Sequence, residues 1–191
     1  MKFSIIIPTL NEEQTLNTYQ KSLIALKNKL NAEIIIVDGR SDDNTTSAAK
    51  LFADKFYYQS PSRSGQLNKG ANHASGDYLI FLHVDTYINQ RGIEEILSID
   101  DDFNWGFFKI RLDDSQLKYK FLSYCINLRS KIFSYCTGDQ VLIIKKDFYN
   151  KNAPLYLVEF RSFYHTWQLN KYLGGGIKTV SYTHLTLPTK A

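Results

Sequence analysis

The chain has 191 residues, 43% hydrophobic and 14% aromatic, which suits the core of one compact domain. Its net charge of +4 is mild and spread out, which argues against a nucleic-acid partner, and no apolar stretch is long enough to span a bilayer. The opening "MKFSIIIPTLNEE" does not read as a signal peptide, because Pro8, Asn11 and two acids interrupt a short apolar run. Cys125 and Cys136 sit among aromatics without metal-ligand spacing, which reads as reduced core thiols in a cytoplasmic protein.

In chain order, "FSIIIPTL" (3–10) is a β-branched run ended by a proline, a buried strand. A helix follows, with Leu16, Leu23, Leu26 and Leu30 near helical spacing and acids at its start. "AEIIIVDGRSDDNTTSAAKLFA" repeats the pattern, its apolar strand (33–37) ending in Asp38-Gly39 before a polar turn and a helix. "KFYYQSP" is a third strand, "SRSGQLNKGANHASG" a helix closed by Gly76, and "DYLIFLHVDT" a fourth strand. Non-alternating apolar strands that alternate with helices predict a parallel sheet covered on both faces. Ligands bind such sheets beyond the carboxyl ends of the strands. There the chain places Thr9, Asn11 and Glu12, then Asp38, then His83 and Asp85. Beyond residue 100 come an aromatic strand (103–113), an amphipathic helix (117–135) with Lys118, Lys120, Arg129 and Lys131, and a short strand in "GDQVLIIKKDFY".

The runs "SIIIPTLNEEQTL", "EIIIVDGRSDDNT", "SRSGQLNKGANHASGDYLIFLHVDT", "WGFFKIRL" and "TGDQVLIIKKDFY" together resemble a family 2 glycosyltransferase. The likeness is closest to small bacterial members with "HxDT" and "TGDQ" elements, and it covers roughly residues 2–150. It implies an α/β GT-A (Rossmann-like) fold, a mostly parallel central sheet with helices on both faces. It also implies transfer of a sugar from a nucleotide-diphosphate donor, commonly a UDP-sugar, to an acceptor hydroxyl with inversion.

A diphosphate leaving group needs its charge neutralised, and Mg²⁺ or Mn²⁺ does this with carboxylate and phosphate oxygens. The resemblance gives Asp85 that metal, with His83 as a weak ligand or a phosphate donor. A strand-end aspartate that caps the next turn is the plainer reading. Asp38 falls where the family contacts nucleobase or ribose, although Asp-Gly is also a common turn pair. With Thr9, Asn11 and Glu12 beside it, nucleotide binding is favoured. Arg63 matches an arginine able to reach the diphosphate, Gln66 and Asn68 are further donor contacts, and Asp43 and Asn44 cap the next helix. His73 reads as a surface or helix-packing residue. "GQLNKGAN" is not a Walker loop, since Ala71-Asn72 replace the required Lys-Ser/Thr.

An inverting transfer also needs a base for the acceptor proton. The family uses an acidic pair, and here Glu159 matches its glutamate while Phe160 stands in the place of the aspartate. Asp139 is a second candidate base, with Gln140 beside it on the acceptor side. A two-base deletion would explain Phe160, since for one codon choice restoring GA after the Glu159 codon returns an acidic "EDFD", which raw reads of the gene would test. The alternative is a genuine lineage without that aspartate, with Glu159, Asp139 or no residue as base. Residues 180–191 resemble the translation of a sequencing adapter, so the natural domain is read as 1–179. The competing readings are a binding domain that has lost its base and a sugar-phosphate nucleotidyltransferase. The latter lacks its expected glycine-rich basic loop after the first strand. The helix at 117–135 is expected to pack on the sheet with its basic residues in solvent. The alternative sets it on the inner face of the membrane, near a lipid-linked acceptor.

Overall fold

The computed structural model describes residues 2–112, 117–133, 140–152 and 178–185. The first half builds β1 (Phe3–Thr9), α1 (Glu13–Leu30), β2 (Ala32–Asp38), α2 (Thr45–Lys50), β3 (Lys55–Tyr58), α3 (Arg63–His73) and β4 (Tyr78–Phe81). These strands pair in parallel in the order β3-β2-β1-β4, so the chain reverses its direction of travel across the sheet between β1 and β4. That reversal opens a crevice at the carboxyl ends. The rest comprises β5 (Thr86–Ile88), α4 (Gln90–Leu97), β6 (Trp105–Leu112), α5 (Leu117–Phe133), β7 (Leu142–Lys145), α6 (Lys146–Asn152) and β8 (Lys178–Leu185). β7 joins β4 antiparallel and the sheet continues β7-β6-β8-β5. The central sheet is therefore parallel in its nucleotide-type half and mixed beyond it. β8 includes part of the 180–191 stretch.

Strand alternation divides the core into two layers. Ile5, Ile7, Ile34, Ile36 and Ile80 pack with Leu16, Leu23, Leu26 and Leu30 of α1. Ile6, Ile35, Val37, Leu79 and Phe81 pack with Leu67 and Ala71 of α3 and Tyr149 of α6. Both faces are covered, which explains why these strands are continuously apolar. At the amino ends of the strands, Glu33 accepts from Ser4 Oγ at 2.6 Å and from Ser75, and pairs with Lys55 at 2.8 Å. Burial alone would push Glu33 up, but the Lys55 contact and the Ser4 and Ser75 hydrogen bonds outweigh it and hold the carboxyl at about 2.

Several expectations shift. The run "DYLIFLHVDT" is not one strand: β4 ends at Phe81, and Thr86 N–H donates to His83 O, closing a turn before β5. α3 ends at His73, before Gly76. Gly76 instead meets β1, where a Cβ would stand 2.8 Å from Ser4 N, so its lack of a side chain serves close approach. Cys125 is exposed on α5 and not a core thiol, while Cys136 lies outside the described residues. α5 does pack on β6, but with its polar side inward. Asn127 pairs with both the N–H and the C=O of Ile110, and Ser123 Oγ accepts from Leu112 N–H.

Candidate functional site

At the carboxyl end of the sheet, Thr9 of β1 stands opposite Asp38 of β2 in register. Asp38 is fully buried, and its carboxylate accepts from Thr9 Oγ1 at 3.2 Å, from Ser41 N–H at 2.8 Å and from Ser41 Oγ. Hydrogen bonds of this kind are what makes a buried carboxylate tolerable. They also fold the β2–α2 loop over the strand end. Asn11, in the left-handed region at φ 54°, gives its N–H to Ser41 Oγ and accepts from Asp42 N–H. The N–H groups of Glu12 and Glu13, at the start of α1, go to Thr45 Oγ1 and Asp43 Oδ2. Asp43 also accepts the Thr45 N–H, whereas Asn44, at the N-cap position of α2, makes no side-chain cap and donates instead to Glu13 Oε1.

The first turns of α3 tie these strand ends to the third. Ser62 caps the helix by accepting from Gly65 N–H. Gln66 is 4% exposed, and its Nε2 donates to both Thr9 O and Val37 O at 2.8 Å. One turn earlier, on the same side of the helix, Arg63 Nη2 lies 2.9 Å from His83 Nδ1. The carboxyl ends of β1 and β2 and the turn after β4 are thus gathered by two side chains spaced i, i+3. Sequence reasoning treated Gln66 as a donor contact and missed this bridging role. The available signal was Gly70, four residues on, which marks the sheet-facing side of α3: a Cβ there would stand 2.4 Å from Ile6 Cγ2.

Arginine is donor-only, so His83 Nδ1 must accept and a neutral ring carries its proton on Nε2. Burial, and then the charge of Arg63, lower the imidazole to about 3, which keeps it neutral. In this arrangement His83 offers an N–H, and neither ring nitrogen has a lone pair open to a cation. Asp85 is half-buried two residues on. Among the described residues, no group of three His, Cys, Asp or Glu could hold a metal. Mg²⁺ or Mn²⁺ shared with a diphosphate needs only one or two protein carboxylates. Asp85 is one such carboxylate at this strand end.

The other candidates fall elsewhere. Asn68 accepts from Tyr149 OH and joins α3 to α6, and burial of that phenol pushes it up to about 12. His73 is exposed, and its ring lies over Tyr57 with centroids 4.2 Å apart. Gln140 is buried, accepting from Ser130 Oγ and donating to Phe108 O, so it links α5 to the sheet. Asp139 and Glu159 lie outside the described residues.

A parallel sheet with polar strand ends gathered at its reversal point defines a nucleotide-type α/β domain. The Glycosyl transferase family 2 model matches residues 4–123, and the chain belongs to that family. It is 28% identical over 120 residues to the Staphylococcus aureus poly(ribitol-phosphate) beta-N-acetylglucosaminyltransferase TarS, a match covering 59% of this chain and 21% of that protein. It is 32% identical over 96 residues to a Campylobacter jejuni GalNAc(5)-diNAcBac-PP-undecaprenol beta-1,3-glucosyltransferase, covering 44% of this chain and 29% of the other. The chain thus spans about a fifth to a third of these relatives. The solved structure of S. aureus TarS 1–349 with UDP-GlcNAc superposes with a TM-score of 0.70 at 18% identity, covering 100% of this chain and 60% of that one. The Pyrobaculum calidifontis mannosyltransferase PcManGT, with GDP-Man and Mn²⁺, gives 0.56 at 15% identity, covering 79% and 46%. The fold is therefore GT-A. Among the described residues, no helix is long and apolar enough to cross a membrane.

Proposed function

We propose that the protein is a glycosyltransferase that moves a sugar from a nucleotide-diphosphate donor, a UDP-sugar, to an acceptor hydroxyl with inversion, on the cytoplasmic side of the membrane. The observation that carries this is the junction at α3, where Arg63 and Gln66 gather the ends of β1, β2 and β4 inside the family-matching region. Thr9, Asn11, Glu12 and Asp38 shape the nucleoside end of the crevice. Arg63 and the Nε2–H of His83 present donors and positive charge to the diphosphate. Asp85 would hold Mg²⁺ or Mn²⁺, which would supply neutralisation of the charge on the leaving diphosphate. Solved relatives that contain UDP-GlcNAc, or GDP-Man with Mn²⁺, support the donor class and the metal.

The acceptor oxygen forms a bond to the anomeric carbon as the bond from that carbon to the diphosphate breaks. The hydroxyl proton passes to a carboxylate, for which Glu159 and Asp139 are the candidates. Phe160, in the place of the family aspartate, favours a second reading in which the chain binds donor without efficient transfer. Titration of UDP with and without Mn²⁺, comparing wild type with Asp85→Ala, tests the proposal. Metal-dependent binding that the variant loses by tenfold or more is expected, about the weight of one charged ligand. No binding by a folded wild-type chain refutes it.

A further inference from the structure

Helix α5 is built inside out. Its inner side carries Ser123, Asn127 and Ser130, which satisfy backbone groups of β6 and the buried Gln140. Its outer side carries Leu117, Phe121, Tyr124, Leu128 and Ile132, each 40% or more exposed, with Phe121 at 68% and Ile132 at 63%. Their spacing of i, i+4, i+7, i+11 and i+15 makes one continuous stripe, whereas a surface helix ordinarily turns such a stripe to the core. Exposed Lys118 and Lys120 project on either side of it, each about 40° round the helix beyond the edge of the stripe. The helix contains no acidic residue, and its four cations equal the net charge of the whole chain.

We propose that α5 docks the protein on an anionic lipid surface, with the stripe set among the acyl chains and the lysines reaching up to the headgroups. Apolar side chains flanked by snorkelling cations are the composition of helices that lie in the membrane interface. The charge disfavours a second copy as occupant: two α5 helices face to face would bring cations against cations with no acid between them. Gln140 hydrogen-bonds Ser130 on α5 and Phe108 on β6, so the docked helix is fastened to the sheet just before β7. The use of such docking, to bring a lipid-linked hydroxyl to the site, rests on the glycosyltransferase reading. The docking itself does not.

The test is co-sedimentation of the full chain with vesicles of phosphatidylcholine, alone and mixed with phosphatidylglycerol. Wild type should partition onto the mixed vesicles and much less onto the neutral ones, with raised salt weakening the binding. Lys118→Glu with Lys120→Glu should lower partition at least about 30-fold, as two surface charges predict. Phe121→Ser with Leu128→Ser should lower it about tenfold or more at every salt concentration. All these positions are exposed, and UDP titration with the same variants should match wild type. Absence of partition by a wild-type chain that binds UDP overturns the docking alone. Partition without UDP binding supports the docking and sinks the glycosyltransferase reading. Self-association in sedimentation velocity that Phe121→Ser abolishes, without vesicle binding, assigns the stripe to a second copy and overturns the proposal.

Discussion

The α3 junction makes Gln66 the most informative residue to perturb. Its Nε2 supplies two buried hydrogen bonds, to Thr9 O and Val37 O, each 2.8 Å long. Gln66→Leu keeps much of the volume and removes both. Thr9 O retains the Gly39 N–H at 2.7 Å, so the loss is about 1 kcal/mol per bond, roughly 2–3 kcal/mol with the weakened Val37 acceptor. Gln66→Glu is a smaller change in shape and a larger one in energy. It turns a carboxylate oxygen toward two carbonyl oxygens in a buried place, which costs roughly 3–5 kcal/mol. Protonation lets the glutamic acid donate one bond, so this variant alone should recover stability relative to wild type as pH falls. Urea denaturation followed by fluorescence reads both effects. With a slope of about 2–3 kcal/mol per molar, the leucine variant should lose about 1 M in midpoint and the glutamate variant more. Equal midpoints for wild type and Gln66→Glu at neutral pH would refute the bridge. UDP affinity should fall in both variants, because the strand ends are no longer held together.

At the other end of the strands, Glu33 is held at about 2 in the folded protein against an ordinary 4.5. Its stabilising effect is therefore complete above pH 4.5 and lost as pH falls toward 2. It amounts to about 3 kcal/mol at most, and Glu33→Gln should flatten acid denaturation over that window, as circular dichroism against pH will show. The His83 imidazole, lowered to about 3, should stay neutral, so donor binding by wild type and His83→Asn should show the same pH dependence between about pH 5 and 8. A step near 6.5 present only in wild type would contradict the Arg63 contact. Gly70→Ala should destabilise by about 1–2 kcal/mol despite better helix propensity, because the new methyl meets Ile6 Cγ2. Thermal melting of the variant checks this, and an unchanged or raised Tm would mean that α3 sits further from the sheet.

What the sequence made legible follows from what a parallel sheet demands. Runs such as Ile5–Ile7 and Ile34–Val37 are apolar at every position because both faces are covered, and they stop where solvent begins. Thr9, Asp38 and His83 could therefore be placed at one edge before any coordinates were known. The roles there were harder to read. Asp38 looks like a ligand-facing acid in sequence, yet its three hydrogen bonds to Thr9 and Ser41 make it a clasp between loops. The clasp depends on where the β2–α2 loop folds, which no local pattern states. The bridge by Gln66 required the height of α3 over the sheet, and only Gly70 hinted at that.

The packing of α5 on the sheet, with Lys118 and Lys120 in solvent, was legible in the sequence, but the side that it turns inward was not. An apolar stripe turns inward when the surface it meets is apolar. Here that surface is β6 beyond Phe107, the last residue that it pairs with β7. Backbone groups past the end of such a ladder need partners. Asn127 supplies two of them to Ile110, and Ser123 supplies one to Leu112. Once the polar side is fixed inward by those bonds, the apolar side has only the outside left. The unpaired edge of β6 thus dictates the exposed stripe, and the stripe in turn dictates what the protein can bind there.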